Sequence, residues 1–173
     1  IEERKWDEAI LAMGKIEDSE TDPKHRSRLH YTAAVIFRDE LKRPGDAAHH
    51  LDQALIKDPT FRKAFDALNK LYTEQGNFKA LAKAYRLMLQ RLPEETPVDE
   101  QVGLWNELGV LCQEKLGDMR EAIIAFQVAD KLNPTDEARE ANLASLLAAA
   151  GPDAYDKAVL INQRLLNNNP MRL

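Results

Sequence analysis

The chain has few of the residues that break helices or cross-link a fold. Its 173 residues include 7 glycines, 8 prolines and 1 cysteine, Cys112. A β-sandwich of this length needs many more turn-forming residues. A single cysteine excludes an internal disulfide and a cysteine-based metal site, and it favours a reducing compartment such as the cytoplasm. We therefore expect a helical protein without covalent cross-links.

The sequence also lacks any block of positive charge and any long apolar run. The formal net charge is −5, so there is no electrostatic reason to expect binding to a nucleic-acid backbone. No apolar run approaches the roughly 20 residues that a membrane-spanning helix needs. Hydrophobic residues make up 44% and charged residues 31% of the chain, which indicates a buried core with a charged surface. We predict neither nucleic-acid binding nor membrane insertion.

The sequence does contain prolines at regular intervals. Prolines recur at the ends of helical patterns, with intervals of 36, 34, 41 and 36 residues, at Pro23, Pro59, Pro93, Pro134 and Pro170. Proline ends a helix because it lacks the backbone N–H and clashes with the preceding turn. Such a period is the first sign of a repeat architecture.

Each interval contains two apolar stripes at helical spacing. Between residues 62 and 95, one stripe includes Phe65, Leu68 and Tyr72 and a second includes Leu81 and Tyr85. A glycine and an asparagine at 76–77 separate the two stripes. Two helices joined by so short a turn pack antiparallel. A generic helical bundle is the alternative, but bundles do not usually repeat proline and aromatic residues in register.

The clearest interval resembles the tetratricopeptide repeat. That motif has Trp, Leu and Gly on its first helix, Ala and Phe on its second, and a closing Pro. The matching residues here are Trp105, Leu108, Gly109, Ala122, Phe126 and Pro134. Cys112 stands where the family has a buried tyrosine, and we interpret it as a packing residue. Asp118 and Glu121 indicate a capping box. Residues 60–95 match in order and size, whereas the flanking intervals match more weakly.

The resemblance implies an all-α, right-handed superhelix, a tetratricopeptide-like solenoid of about nine helices. We predict these near 2–17, 25–41, 45–57, 60–75, 78–91, 97–116, 119–132, 136–149 and 153–167. They form a single array with a half-repeat at 1–23 and repeats at about 25–59, 60–95, 97–135 and 136–172. The joint at 93–97 is expected to be a loop or a helix extension, and not a domain boundary. Because the pattern starts within a repeat, we expect the chain to be a fragment of a longer protein.

The resemblance also implies a concave groove lined by the first helix of every hairpin. Its register places eight candidate peptide-binding residues there, namely Arg28, Tyr31, Arg38, Lys63, Asp66, Lys70, Asn106 and Gln113. The cations around Tyr31 favour an acidic peptide. The alternative is that these are ordinary solvated charges on helices. The last predicted first helix carries mainly alanine, which allows a partner helix to approach.

One well-known function of the family does not carry over. Some tetratricopeptide proteins hold a chaperone's C-terminal carboxylate with lysine, asparagine and arginine on these helices. The corresponding positions here are occupied by Tyr31, Val35, Ala67, Gly103 and Glu107. We therefore do not expect the chain to be a chaperone clamp.

No pattern predicts catalysis, a cofactor or a metal. The four histidines His25, His30, His49 and His50 lack the three- or four-residue spacing that places two ligands on one helix face. A surface position is the expectation for them. The predicted function is a non-catalytic scaffold that binds a peptide or a partner helix in the groove, with possible self-association through exposed array ends. The alternatives are a peptide-sensing regulatory module and an accessory arm of a larger enzyme.

Overall fold

The structure is a computed structural model that describes residues 2–134 and 136–151. Over these residues every regular element is helical, and there is no strand. None of the described helices combines the length and apolarity needed to cross a membrane. The predicted helix at 153–167 and the chain end lie outside the described residues. The chain forms two compact units, Ile1–Glu94 and Glu95–Leu173.

The N-terminal unit contains five helices. These are α1 (Glu2–Ser19), α2 (Pro23–Asp39), α3 (Pro44–Lys57), α4 (Arg62–Glu74) and α5 (Phe78–Arg91). Each begins and ends within two residues of its predicted bounds. The all-α prediction is therefore confirmed, including the individual helices of this unit.

Local sequence signals set the helix ends. The Asp22 carboxylate accepts a hydrogen bond from the backbone N–H of Lys24 at 3.0 Å, and Pro23 occupies the first turn of α2, where its missing N–H costs nothing. After α4, Gly76 has a φ of 63°, the left-handed conformation that glycine adopts without strain. Asn77 then caps α5 by accepting from Ala80 N–H at 3.3 Å.

Two antiparallel hairpins form the core of this unit. The Ser27 hydroxyl, near the start of α2, donates to the Ala54 carbonyl near the end of α3 at 2.8 Å. In the second hairpin, the rings of Phe65 and Tyr85 meet edge to face with centroids 5.1 Å apart. Asn69 stands where the family has a small residue, and its amide donates to the Tyr85 hydroxyl at 2.7 Å. The polar substitution is therefore satisfied inside the hairpin.

The C-terminal unit contains α6 (Val98–Leu111), α7 (Met119–Leu132) and α8 (Glu137–Ala149). A π-helical turn, Cys112–Leu116, continues α6, so the helix predicted at 97–116 has the expected extent with a wider last turn. Gly117 follows with a φ of 66°, and the Asp118 N–H donates to the Cys112 carbonyl at 2.9 Å. The predicted Asp118 cap is confirmed, since its carboxylate accepts from Glu121 N–H at 3.0 Å.

The close approach of α6 and α7 depends on Gly109. A Cβ atom at this position would lie 2.7 Å from the Phe126 ring, closer than van der Waals contact allows. Leu108, Cys112 and Ala122 are buried around this contact. The packing role predicted for Cys112 is thus confirmed.

Candidate peptide-binding surface

In the N-terminal unit, α2 and α4 present neighbouring exposed sides. The Tyr31 ring on α2 lies 5.2 Å, centroid to centroid, from the ring of Phe61, which precedes α4. Arg38 and Lys70 line one pocket further along the two helices. Helical spacing places the remaining candidates beside these contacts. We call this surface the α2/α4 face, which consists of Arg28, Tyr31, Arg38, Lys63, Asp66 and Lys70.

One end of the α2/α4 face is a small pocket with balanced charges. Its volume is about 270 Å³, and it is lined by Arg38, Asp39, Lys70, Leu71 and Glu74. The Arg38 guanidinium donates to both Asp39 carboxylate oxygens at 2.7 and 2.8 Å. The Lys70 ammonium lies 3.8 Å from a Glu74 carboxylate oxygen. Both cations that predicted an acidic ligand at this end already have a carboxylate partner.

The Arg38–Asp39 pair remains ionised at neutral pH. The hydrogen bond from Arg38 lowers the pKa of Asp39; burial opposes this, and the charges of Arg38, Lys42 and Lys70 add to the lowering. The same hydrogen bond raises the pKa of Arg38. A ligand carboxylate must therefore compete with Asp39 for this guanidinium.

The other end of the face carries positive charge that remains available to a ligand. Arg28 is exposed and lies one helical turn before Tyr31. Lys63 is exposed on the first turn of α4. Neither side chain makes an ion pair with any residue that the structure describes. Asp66 faces Arg62 at 3.2 Å, so it does not neutralise Lys63 by direct contact. This end combines a half-buried aromatic pair with two available cations.

The remaining two candidates, Asn106 and Gln113, lie in the C-terminal unit. Gln113 exchanges two amide hydrogen bonds with Asn142 of α8, at 3.0 and 3.3 Å. The Asn106 Oδ1 atom is buried and accepts no hydrogen bond from the described residues. Val110, between them on the same side of the helix, is 43% exposed. These residues form a small patch of the C-terminal unit, and the partner Asn142 was not predicted from the sequence.

The expected surface position is wrong for His30. Its ring is buried, with Nε2 3.1 Å from a Glu17 carboxylate oxygen and Nδ1 3.0 Å from His50 Nδ1. This geometry suits two neutral rings, with His30 donating to Glu17 and accepting from His50. Arg26 also donates to Glu17 at 3.0 Å. The cluster joins α1, α2 and α3. Across residues 2–134 and 136–151, no group of three potential ligands is arranged to hold a metal ion.

The histidine cluster predicts that stability falls in mild acid. Burial lowers the pKa of His30, which Lys57 and His49 lower further while Glu17 opposes. Burial also lowers the pKa of His50, and His30 and His49 add to the effect. Below the ordinary value of 6.5, the unfolded chain therefore binds protons that the folded chain does not. The free energy of unfolding should fall from pH 7.5 to 5.5, by at most about 1.4 kcal/mol per pH unit for each histidine.

Urea denaturation at the two pH values measures this loss. His30→Gln combined with His50→Gln should flatten the pH dependence, whereas His25→Gln, at a mostly exposed position, should leave it unchanged. If the wild type, the double variant and His25→Gln show the same pH dependence of the free energy of unfolding, the assignment of that dependence to His30 and His50 is contradicted.

Glu17 acts at lower pH. Burial alone would raise its pKa, but His30 and Arg26 outweigh burial and lower it; its stabilising contribution is lost only below about 4.5.

Comparison with known proteins places the fold in a class. YrrB, described as a tetratricopeptide-repeat protein with an unusual peptide-binding site, matches with a TM-score of 0.54 and 19% identity, over 92% of this chain and 75% of that chain. A structure of MamA from AMB-1 matches with a TM-score of 0.52 and 14% identity, over 99% and 86% of the two chains. A further MamA structure gives 0.50 and 19%, over 99% and 88%.

These matches show the fold. The chain has the helical-repeat fold of tetratricopeptide proteins, and the resemblance seen in the sequence is confirmed at that level. No family model and no curated protein matches the chain. Since 135 solved chains match, the fold is common and does not specify a ligand.

Proposed function

We propose that the chain is a non-catalytic interaction scaffold that binds an extended peptide segment on the α2/α4 face. The observation that carries this proposal is the combination, on one exposed face, of the Tyr31–Phe61 ring pair and an open pocket between Arg38 and Lys70. Aromatic and arginine side chains of this kind supply most of the binding energy in protein interfaces. The unusual peptide-binding site of YrrB is consistent with this use of the fold.

The charge distribution defines the chemistry of the ligand. A carboxylate side chain suits the end near Arg28 and Lys63, and an apolar or aromatic side chain suits the exposed part of Tyr31. At the other end, the ligand must offer both a carboxylate and a cation, because Arg38 and Lys70 stand beside Asp39 and Glu74. We infer a peptide of mixed charge with an acidic residue next to an apolar one.

A selected peptide tests the proposal. The probe is the tightest binder from a random peptide display library, with its Kd measured by fluorescence anisotropy. Reversing two charges with Arg38→Glu and Lys70→Glu should weaken binding at least about tenfold. A full charged contact contributes up to about 3 kcal/mol, but Asp39 and Glu74 already compete for these two cations. The matched control reverses Lys79 and Lys131, two exposed lysines that do not belong to this face. Circular dichroism checks that helicity is retained.

A third variant is expected to bind the peptide more tightly. Asp39→Asn removes the carboxylate that occupies the Arg38 guanidinium and should tighten binding several-fold. If the face is only solvated surface, the charge-reversed pair and its control will bind equally and Asp39→Asn will have no effect. That result would mean that the peptide-binding site lies on another surface of the chain.

Two other functions are compatible with such a scaffold. In a regulatory module, peptide binding would change the compactness of the chain in small-angle scattering, whereas a static scaffold would show no change. An accessory arm would bind its own enzyme through the same face, so the charge-reversed variant would lose that attachment.

A further inference from the structure

A second groove lies on the side of α4 away from the α2/α4 face. It runs between α3 and α5, has a volume of about 350 Å³, and its floor is formed by Leu68 and Tyr72 of α4. The residues along its walls and rim are Gly45, Ala48, His49, Asp52, Ala80, Lys83, Ala84 and Leu87. Small residues on both walls keep the groove open. It accommodates one or two apolar side chains but not a whole helix.

Helix α1 carries the most exposed large apolar side chain among the described residues. Leu11 is 67% exposed. No described side chain of α1 is fully buried, so this helix is the least packed of its unit. Asp7 and Lys15 lie one turn before and one turn after Leu11, on the same side of the helix. Helices commonly bind grooves through apolar anchor side chains on one side of the helix, and Leu11 can serve as such an anchor.

We propose that α1 of one copy lies across the α3/α5 groove of a second copy and inserts the Leu11 side chain onto the groove floor. The charges fit in one orientation. Asp7 would face Lys83 on the α5 rim, and Lys15 would face Asp52 on the α3 rim. Asp7, Lys15 and Lys83 form no ion pair with any residue in the described part of the chain. Asp52 is held by Arg91 at 3.2 Å, with its side chain 40% exposed.

Gly14 supplies independent support for close docking on this side of α1. Glycine is the weakest helix former after proline, yet Gly14 lies in the interior of α1. A Cβ atom there would meet no atom within 4 Å, so nothing inside the unit requires a glycine. Gly14 is three residues after Leu11, on the docking side. A glycine at this position would let a neighbouring chain approach the α1 backbone closely.

The contact is head to tail, because each copy uses α1 on one side and its groove on the other. Such contacts either close into rings or continue as open chains. The proposal does not depend on peptide binding, since it leaves the α2/α4 face exposed. Its failure would therefore say nothing about the peptide site.

Sedimentation equilibrium measures the self-association. The average mass of the wild-type chain should rise with concentration below about 1 mM, the limit of a weak specific contact. Leu11→Ser should weaken association about ten- to a hundred-fold, because it removes one buried leucine from the contact. Ile124→Ser, at a residue of the C-terminal unit that is 48% exposed, is the control and should have no effect. A wild-type chain that stays monomeric, or equal effects of the two variants, would overturn the proposal.

Mixing two variants tests the head-to-tail geometry. Leu11→Ser leaves the groove intact, and Ala84→Gln blocks the groove but leaves α1 intact. At a concentration where the wild type associates, each variant alone should associate at least about tenfold more weakly, and an equimolar mixture should form dimers that grow no further. If Ala84→Gln does not fold by circular dichroism, Lys83→Glu, at an exposed position, replaces it. A mixture that remains monomeric would contradict the proposal.

Gly14→Gln separates docking from folding. Glutamine is a good helix former, so the variant should melt at a higher temperature than the wild type. Its bulk should weaken self-association about tenfold, since it lies on the docking side. Ala138→Gln, at an exposed position of α8, should leave association unchanged. Association that is unchanged or stronger in Gly14→Gln would exclude α1 from the contact.

Discussion

Replacing Phe65 by alanine should lower the free energy of unfolding by about 3–5 kcal/mol. Phe65 is completely buried and packs edge to face against Tyr85 at 5.1 Å between centroids. Its loss removes the largest fully buried side chain of the α4–α5 hairpin and should leave a cavity between the two helices. Urea denaturation followed by circular dichroism gives the difference directly.

Phe61→Ala is the matched control for that cavity. Phe61 is only partly buried and contacts Tyr31, so its replacement should cost about 1 kcal/mol, the value of an exposed aromatic contact. If Phe65→Ala costs no more than Phe61→Ala, the hairpin core is not organised around Phe65.

Replacing Gly109 by alanine should destabilise the C-terminal unit by up to about 2 kcal/mol. Alanine is the better helix former by about 1 kcal/mol, but its Cβ would lie 2.7 Å from the buried Phe126 ring. Forcing α6 and α7 apart costs typically 1–3 kcal/mol and occasionally more. We expect the steric cost to exceed the gain in helix propensity.

Gly103→Ala makes the same change in the same helix but should have the opposite effect on stability. A Cβ at Gly103 would meet nothing within 4 Å, so this variant should gain up to about 1 kcal/mol from helix propensity alone. Thermal or urea denaturation of the two variants side by side separates packing from propensity. If both variants are more stable than the wild type, Gly109 does not lie in close contact with the Phe126 ring.

The sequence was most informative where one residue has a single physical role. Gly109 of the matched motif is one example, because only a residue without a side chain fits beside the Phe126 ring. Asp118 is another, because its predicted cap fixes the start of α7. The π-helical turn at Cys112–Leu116 was not predicted, since its backbone pattern leaves no mark in apolar spacing.

Side-chain pairing was harder to predict. His30 was expected on the surface, although its spacing from Ala33, Ala34 and Phe37 places it on the buried stripe of α2. Metal-ligand spacing carries no information about burial. The partner Glu17 lies on another helix, so only the fold brings the two together.

The candidate site shows the same limit. The helical register selected the candidate residues on α2 and α4. It did not predict that Asp39 holds the Arg38 guanidinium in two hydrogen bonds. That pairing changes the expected ligand from an acidic segment to one of mixed charge.

Hydrogen exchange of the peptide-bound chain, followed by mass spectrometry, tests the central claim most directly. With the selected peptide bound, we expect new protection in α2 and α4, covering residues 28–39 and 62–74, and little change in α3, α5 or the C-terminal unit. Backbone amides under a bound segment exchange more slowly because binding suppresses local opening. Protection confined to other helices, with α2 and α4 unchanged, would contradict the assignment of the α2/α4 face as the peptide-binding surface.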